Sequence, residues 1–265
     1  MNSSWLNLEN KNVIVTGGAK GLGYAIVREL LEDGANVAVC DLYPESPELA
    51  DKVFYVQADV SNRNSVEAMV QAVLKRYGTI DAVVNNAGIS IPRLLVDENN
   101  LYEMDETAWD KVMNVNLKGV FFVSQAVAKQ MVRQGYGVIL NMSSESGLEG
   151  SEGQSAYAAS KNAVNSLTRS WAKELGRKGI RVVGVAPGVL ESTNLRTPDY
   201  EAALAYARNI TVEELRLSYE KTSTIPLGRI GKLAEVANVV AFLISDHASY
   251  IHGVTINVAG GKTRG

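Results

Sequence analysis

Tyr157 and Lys161 stand four residues apart in SAYAASKNAVNSLTRSWAKEL, a segment whose apolar periodicity predicts a helix. Residues i and i+4 share a helix face, so this spacing sets an ammonium beside a phenol. A nearby positive charge favours phenolate, and each pKa unit of lowering is worth about 1.4 kcal/mol. Two or three units below a reference of about 10 bring a phenol toward working pH, where it can take a proton from an alcohol or return one to a carbonyl oxygen. The pair alone fits solvated helix neighbours as well, so its meaning depends on what the chain sets beside it.

A second group of residues is built for a dinucleotide. In VIVTGGAKGLGYAIVREL an apolar run passes into a helical pattern through Gly17, Gly18, Gly21 and Gly23. Glycines at a strand-to-helix turn let the backbone approach a pyrophosphate, and the free N–H groups of the helix start face its negative charge. Gly17, Lys20, Gly21, Leu22 and Gly23 are the expected contacts. Asp41 ends the next apolar run, 20 residues after Gly21, where a carboxylate can accept hydrogen bonds from ribose hydroxyls and repel a 2′-phosphate. Lys20 argues the other way, since a cation in the loop can meet that phosphate. Asp41 is unopposed by a second cation, because Leu42 follows it, so NAD is expected rather than NADP.

Both groups need a scaffold. Short β-branched runs at 12–16, 36–41, 53–58, 81–85, 137–141, 181–186 and 255–258 alternate with helical patterns. Such alternation predicts an α/β fold of Rossmann type, a doubly wound, mostly parallel seven-stranded sheet with helices on both faces. No repeat or linker divides the chain, so a single domain over residues 1–265 is expected. One irregular region, about 190–225, carries helical patterns at 200–208 and 212–221. It follows the carboxyl end of a strand, where open α/β sheets bind ligands, and is read as a substrate lid.

Composition narrows the remaining classes. With 26 Lys and Arg against 29 Asp and Glu, the net charge of -3 supplies no basic face for nucleic acid. The opening MNSSWLNLENKN lacks a basic segment followed by an apolar run, and no stretch approaches the roughly 18 apolar residues that span a bilayer. A cytoplasmic protein without membrane partners is expected. Cys40, the single cysteine, reads as a buried strand thiol, and His247 and His252 are too few for a metal cluster.

The glycine loop, Asn85-Asn86-Ala87-Gly88, Ser144 and Tyr157-x-x-x-Lys161 follow one another in an order and spacing that resemble the short-chain dehydrogenase/reductase family over essentially the whole chain. The resemblance implies that Asp59 and Val60 contact adenine, and that Asn86 and Gly88 line the cofactor. It implies that Asn116 holds a water in a proton relay and that Ser144 orients the substrate oxygen. Lys161 is expected to bind the nicotinamide ribose, and Pro187, Leu190 and Ser192 to receive the carboxamide. Two residues depart from the family pattern: Ser192 replaces a usual threonine and keeps its hydroxyl, while Ala259 replaces a common aspartate.

On substrate, the residues between Ser144 and Tyr157 are rich in hydroxyl and carboxyl groups, Ser146 and Glu152 among them, which suits a hydroxylated molecule better than a steroid or acyl chain. The segments SSESGLEGSEGQSAYAASK, RVVGVAPGVLESTNLRTPDY and AGGKTRG further resemble the polyol-phosphate dehydrogenases of that family. This implies NAD-linked interconversion of sorbitol 6-phosphate and fructose 6-phosphate by a homo-oligomer, expected as a tetramer. A phosphate needs cations, and Arg93, Arg196, Arg208, Arg216 and Lys221 lie in the flanking loops, with Arg93 and Arg196 the first candidates. Three alternatives stay open: a dehydrogenase of unphosphorylated polyols or sugars, a 3-oxoacyl carrier-protein reductase, and a nucleotide sensor without turnover.

Overall fold

The structure is a computed structural model that describes residues 5–44, 47–193 and 195–262. Seven strands form one sheet: β1 (Asn12–Thr16), β2 (Asn36–Asp41), β3 (Phe54–Gln57), β4 (Ala82–Asn85), β5 (Gly137–Met142), β6 (Ile180–Pro187) and β7 (Thr255–Val258). Their order is β3-β2-β1-β4-β5-β6-β7, and each neighbouring pair is parallel. Every expected strand is present. Those at β5 and β6 run on to Met142 and Pro187, which places residues of the site at strand ends rather than in loops.

Because side chains alternate across a strand, each central strand feeds two cores. Val13 and Val15 of β1 face one side, packed with Ile26, Val27 and Leu30 of α1 (Gly21–Glu32). Ile14 faces the other, with the apolar stripe of α2 (Arg63–Tyr77). The first layer also contains α9 (Leu233–Ile244), and the second contains α4 (Gly119–Gln134) and part of α6 (Ser155–Leu175). Between α2 and α4 lies α3 (Glu106–Met113), which continues directly into a π-helical turn, Asn114–Lys118. A short helix, α5 (Ser146–Glu149), precedes α6.

The irregular region contains α7 (Pro198–Ala207) and α8 (Val212–Glu220), close to the expected helical patterns. Local chemistry starts both. Thr197 caps α7 by accepting from the Tyr200 N–H, with Pro198 in the first turn, and Thr211 forms a capping box with Glu214 on α8. The two helices share a small core of Leu204, Ala205 and Leu215, separate from the sheet cores.

The isolated candidates settle into structural roles. Cys40 is buried, and burial raises its thiol pKa far above the ordinary value. His252 accepts from the Val182 N–H at 3.0 Å and meets the Ala172 carbonyl at 2.8 Å. Among the described residues no helix is long and apolar enough to cross a membrane, and no group of three or more His, Cys, Asp or Glu is placed to hold a metal ion.

Strand order reverses between β1 and β4, and a crevice forms at the carboxyl ends of parallel strands at such a point. The glycine loop after β1 is compressed there. A methyl group on Gly23 would stand 2.0 Å from the Gly17 carbonyl oxygen and 2.5 Å from Asn86 Nδ2. Gly23→Ala is therefore expected to destabilise the chain by about 1–3 kcal/mol, the usual cost of overpacking, read as a lowered Tm. An unchanged Tm would show that the loop opens freely.

Candidate active site

The loop from β1 to α1 is held by side chains from three strands. Asn86, just after β4, donates from Nδ2 to the carbonyls of Thr16 and Gly17, both at 3.0 Å. Thr16 Oγ1 accepts from the N–H groups of Asn86 and Ala87. Asp41 at the end of β2 accepts from the Ala19 N–H at 3.0 Å and, with its other oxygen, from the Tyr43 N–H at 3.1 Å. Its carboxylate thus stands directly against the loop. The Lys20 ammonium lies 3.8 Å from the centre of the Tyr43 ring.

The start of α1 fits a pyrophosphate. Its N-cap, Lys20, makes no side-chain hydrogen bond to the helix, and the first turn has no acidic residue. The positive end of the helix dipole is left for an anion. Further along, Asp59 Oδ1 accepts from both the N–H and the hydroxyl of Ser61, which shapes the turn after β3. Val60 lies beneath Gly119, where a methyl group would approach Val60 Cγ2 to 2.9 Å. Asp59 and Val60 thus follow the carboxyl end of β3, with Val60 packed into the core beneath α4.

On α6, Tyr157 and Lys161 share one face, with the ammonium 5.7 Å from the phenol ring centre. Lys161 is 4% exposed and donates to the Met142 carbonyl at 2.7 Å. Burial lowers its pKa to about 8. The phenol of Tyr157 is pushed up by burial, against which a hydrogen bond from Ser144 pulls it down, while Glu145 adds to the rise. This differs from the simple expectation of a phenol lowered by its neighbouring ammonium. Both groups are desolvated, and desolvation opposes the charged form of each.

Ser144 and Tyr157 thus present two hydroxyls to one space. Asn116 sits in the π-helical turn, fully buried, with its amide closed in a two-way bond to Ile89: Oδ1 accepts from the N–H and Nδ2 donates to the carbonyl, each at 2.8 Å. Nδ2 also donates to Ser160 Oγ at 3.1 Å. A methyl group on Gly88 would lie 3.4 Å from Asn116 Oδ1 and 3.5 Å from Lys161 Nζ, so Asn116, Gly88 and Lys161 meet behind the tyrosine. Such π turns cluster at functional sites.

Pro187 accepts from the Glu145 N–H at 3.0 Å, which brings the end of β6 alongside Ser144. Leu190 bridges to Gly231 and is buried, while Ser192 is exposed beyond it. Of the polar residues after Ser144, Ser146 donates its N–H to Ser144 Oγ at 3.2 Å and Glu152 is exposed. Glu145 pairs with Lys262 at 2.6 Å.

Gln154 carries more than its place in a polar run suggests. Buried just before α6, it donates to Ser90 Oγ at 3.1 Å and to the Tyr200 hydroxyl at 3.0 Å, and accepts from Ser151 Oγ at 2.7 Å. It ties the β4 loop, the segment after Ser144 and α7 together. Tyr200 is desolvated enough to push its phenol up to about 12, and the Tyr157 oxygen lies within electrostatic reach. Arg196 comes to the same neighbourhood, its guanidinium 3.8 Å from the Tyr219 ring centre. Arg93 is bridged through its backbone to Gln154, while its guanidinium bonds the Pro92 carbonyl and lies 5.4 Å from the centre of the Tyr102 ring, which packs on Tyr206 of α7.

A lysine whose folded-state pKa is below its ordinary 10.5 binds fewer protons than the unfolded chain between the two values, so stability rises with pH from about 8 to 10.5. Lys161→Met removes that titration. Wild type is expected to gain about 3 kcal/mol relative to this variant across that window, measured by chemical denaturation. A flat difference would show that the ammonium is solvated.

Comparison with known proteins agrees with this site. The short chain dehydrogenase family model matches residues 11–203. A sorbitol-6-phosphate 2-dehydrogenase of Klebsiella pneumoniae is 58% identical over 267 residues, covering 99% of this chain and 100% of its own. A 3-oxoacyl-[acyl-carrier-protein] reductase of Thermotoga maritima is 41% identical, covering 97% and 99%. Among solved structures, levodione reductase superposes with a TM-score of 0.84 at 35% identity, covering 97% of this chain and 98% of that one. A 3-ketoacyl-(acyl-carrier-protein) reductase from Brucella melitensis complexed with NADH gives 0.82 at 28% identity, covering 97% and 100%. Placed on a seven-stranded parallel sheet with its tyrosine, lysine and serine at one crevice, this chain is an oxidoreductase that belongs to the short-chain dehydrogenase family.

Proposed function

We propose that this chain is an NAD-dependent dehydrogenase that interconverts a polyol phosphate and its ketose phosphate, with sorbitol 6-phosphate and fructose 6-phosphate as the pair. The observation that carries the chemistry is the buried Lys161 set 5.7 Å behind the Tyr157 ring, with the Ser144 hydroxyl close enough to lower that phenol's pKa. The Klebsiella relative, alike over its whole length, supports the substrate.

Bound NAD supplies a hydride acceptor at nicotinamide C4, held by the glycine loop, Asp41, the turns at Asp59, Asn86 and Gly88, and the Pro187 to Ser192 segment. The chain's own residues handle the proton and the position. In oxidation Tyr157, as phenolate, accepts the proton of the substrate hydroxyl; in reduction its phenol returns that proton to the carbonyl oxygen. Ser144 donates to the same oxygen and fixes its approach. Lys161, held near pKa 8 behind the tyrosine, provides the positive charge that offsets the cost of a buried phenolate. In its own hydrogen bonds Asn116 braces Ile89 and Ser160, which keeps the β4 turn and α6 in register. The helices α7 and α8, reached through Gln154 and Tyr200, act as the substrate lid.

Asp41 supports NAD over NADP, since its carboxylate stands against the glycine loop and the nearest loop cation, Lys20, is engaged with the Tyr43 ring. Exposed Trp109, Phe121 and Val132 on α3 and α4 supply an apolar surface for a homo-oligomer, taken as a tetramer. The reductase relatives at 41% identity support a second reading, reduction of a 3-oxoacyl thioester.

Tyr157→Phe is expected to lower turnover by about 10²–10⁴-fold while NADH still binds, measured by nucleotide fluorescence, because the acid/base is lost and the cradle is not. Substantial residual turnover would remove Tyr157 from that role. An assay of sorbitol 6-phosphate, free sorbitol and a 3-oxoacyl thioester with each nucleotide tests the reaction itself. NAD with sorbitol 6-phosphate should be the preferred pair, and Asp41→Ala should narrow the NAD preference about tenfold or more. Faster turnover of the thioester with NADPH would establish the second reading instead.

A further inference from the structure

Five cations lie in the segments flanking the site, and the structure sorts them. Arg216 gives both Nε and Nη2 to Glu201, at 2.9 and 2.7 Å. Arg93 is turned onto Tyr102, and Lys221 is exposed at the end of α8. Arg196 and Arg208, at the two ends of α7, form no ion pair with a carboxylate among the described residues. Both lie within electrostatic reach of the Tyr200 and Tyr219 phenols. Arg196 lies flat on the Tyr219 ring and donates to the Leu190 carbonyl at 2.9 Å. Arg208 donates to Ser151 Oγ at 3.3 Å, whose hydroxyl leads through Gln154 to Tyr200.

The Tyr219 hydroxyl is buried without a hydrogen-bond partner. A buried donor left unmade is costly, and an anion between the two guanidiniums would accept from it. Glu201, the carboxylate that also acts on Tyr219, is neutralised by Arg216. Two unpaired guanidiniums beside an orphaned phenol match a phosphate dianion, which takes several charge-assisted hydrogen bonds. Tyr200 is within electrostatic reach of both arginines and of Tyr157, so it links this pair to the reacting hydroxyl.

We propose that Arg196, Arg208 and the Tyr219 hydroxyl form the subsite for the substrate's terminal phosphate. This rests on the reading of the substrate as a polyol phosphate. The subsite lies on the lid, so the phosphate also holds α7 and α8 against the site.

The test compares kcat/KM for sorbitol 6-phosphate with that for free sorbitol. Wild type must first favour the phosphate ester; no preference there would overturn the substrate reading itself, before any variant is made. Given that preference, Arg196→Gln and Arg208→Gln are each expected to lower the ratio about tenfold or more, and Tyr219→Phe about threefold. Equal losses on both substrates, or an unchanged ratio, would overturn the subsite and leave the substrate reading intact. NADH binding reports whether each variant has folded. Tyr219→Phe removes a single oxygen and decides the matter alone if an arginine variant does not fold.

Discussion

Asn86 is the joint on which the site depends. One side-chain amide closes the carbonyls of Thr16 and Gly17, while Thr16 Oγ1 receives two N–H groups from the turn that Asn86 opens. The ends of β1 and β4 are thereby fastened across the point where strand order reverses. The glycine loop and the turn at Asn86 and Gly88 both hang from those two strand ends. The closeness has a steric consequence, since positions 17 and 23 accept no side chain without displacing backbone. The glycines of this loop serve the joint as much as the ligand.

A second layer of buried polar groups supports the catalytic helix from beneath. Asn85 donates to Asn141 at 2.8 Å, and Asn141 donates to Thr168 at 2.9 Å, which links β4, β5 and α6 within the core. Ser143 donates to the Lys161 carbonyl, and Lys161 Nζ returns a bond to Met142. Among the described residues Asn85 Oδ1 is left buried without a partner, while the remaining bonds tie α6 to β5. The same burial that fixes the helix costs the charged forms of Lys161 and Tyr157. Their shifted pKa values are a direct result of how firmly they are held.

The substrate side is built differently. It has no strand of its own, and its geometry comes from three segments joined at Gln154 and at Asp97. Asp97 accepts from the N–H groups of Asn99, Leu101 and Tyr102 and from the Tyr206 hydroxyl on α7. The helices α7 and α8 share only a small core with one another, so their position depends on these polar contacts more than on burial. Elements with few buried apolar contacts open at lower free energy than the sheet beneath them.

Much of this was legible in the residues. The seven runs became seven strands because alternating burial on both faces of a parallel sheet writes itself as short apolar segments, and the helical patterns near 200–208 and 212–221 carry their own threonine caps. The glycine loop, Asp41 and the Tyr157–Lys161 spacing are equally local, since each follows from one turn or one helix face. Tertiary structure decided what spacing does not encode. The Lys161 ammonium bonds Met142 rather than the phenol, Asn116 sits in a π turn closed on Ile89, and Arg208 reaches Ser151 while Arg196 stacks on Tyr219. Where a long side chain points, and how far burial shifts its charge, depends on partners distant in the chain that only the folded core brings within reach.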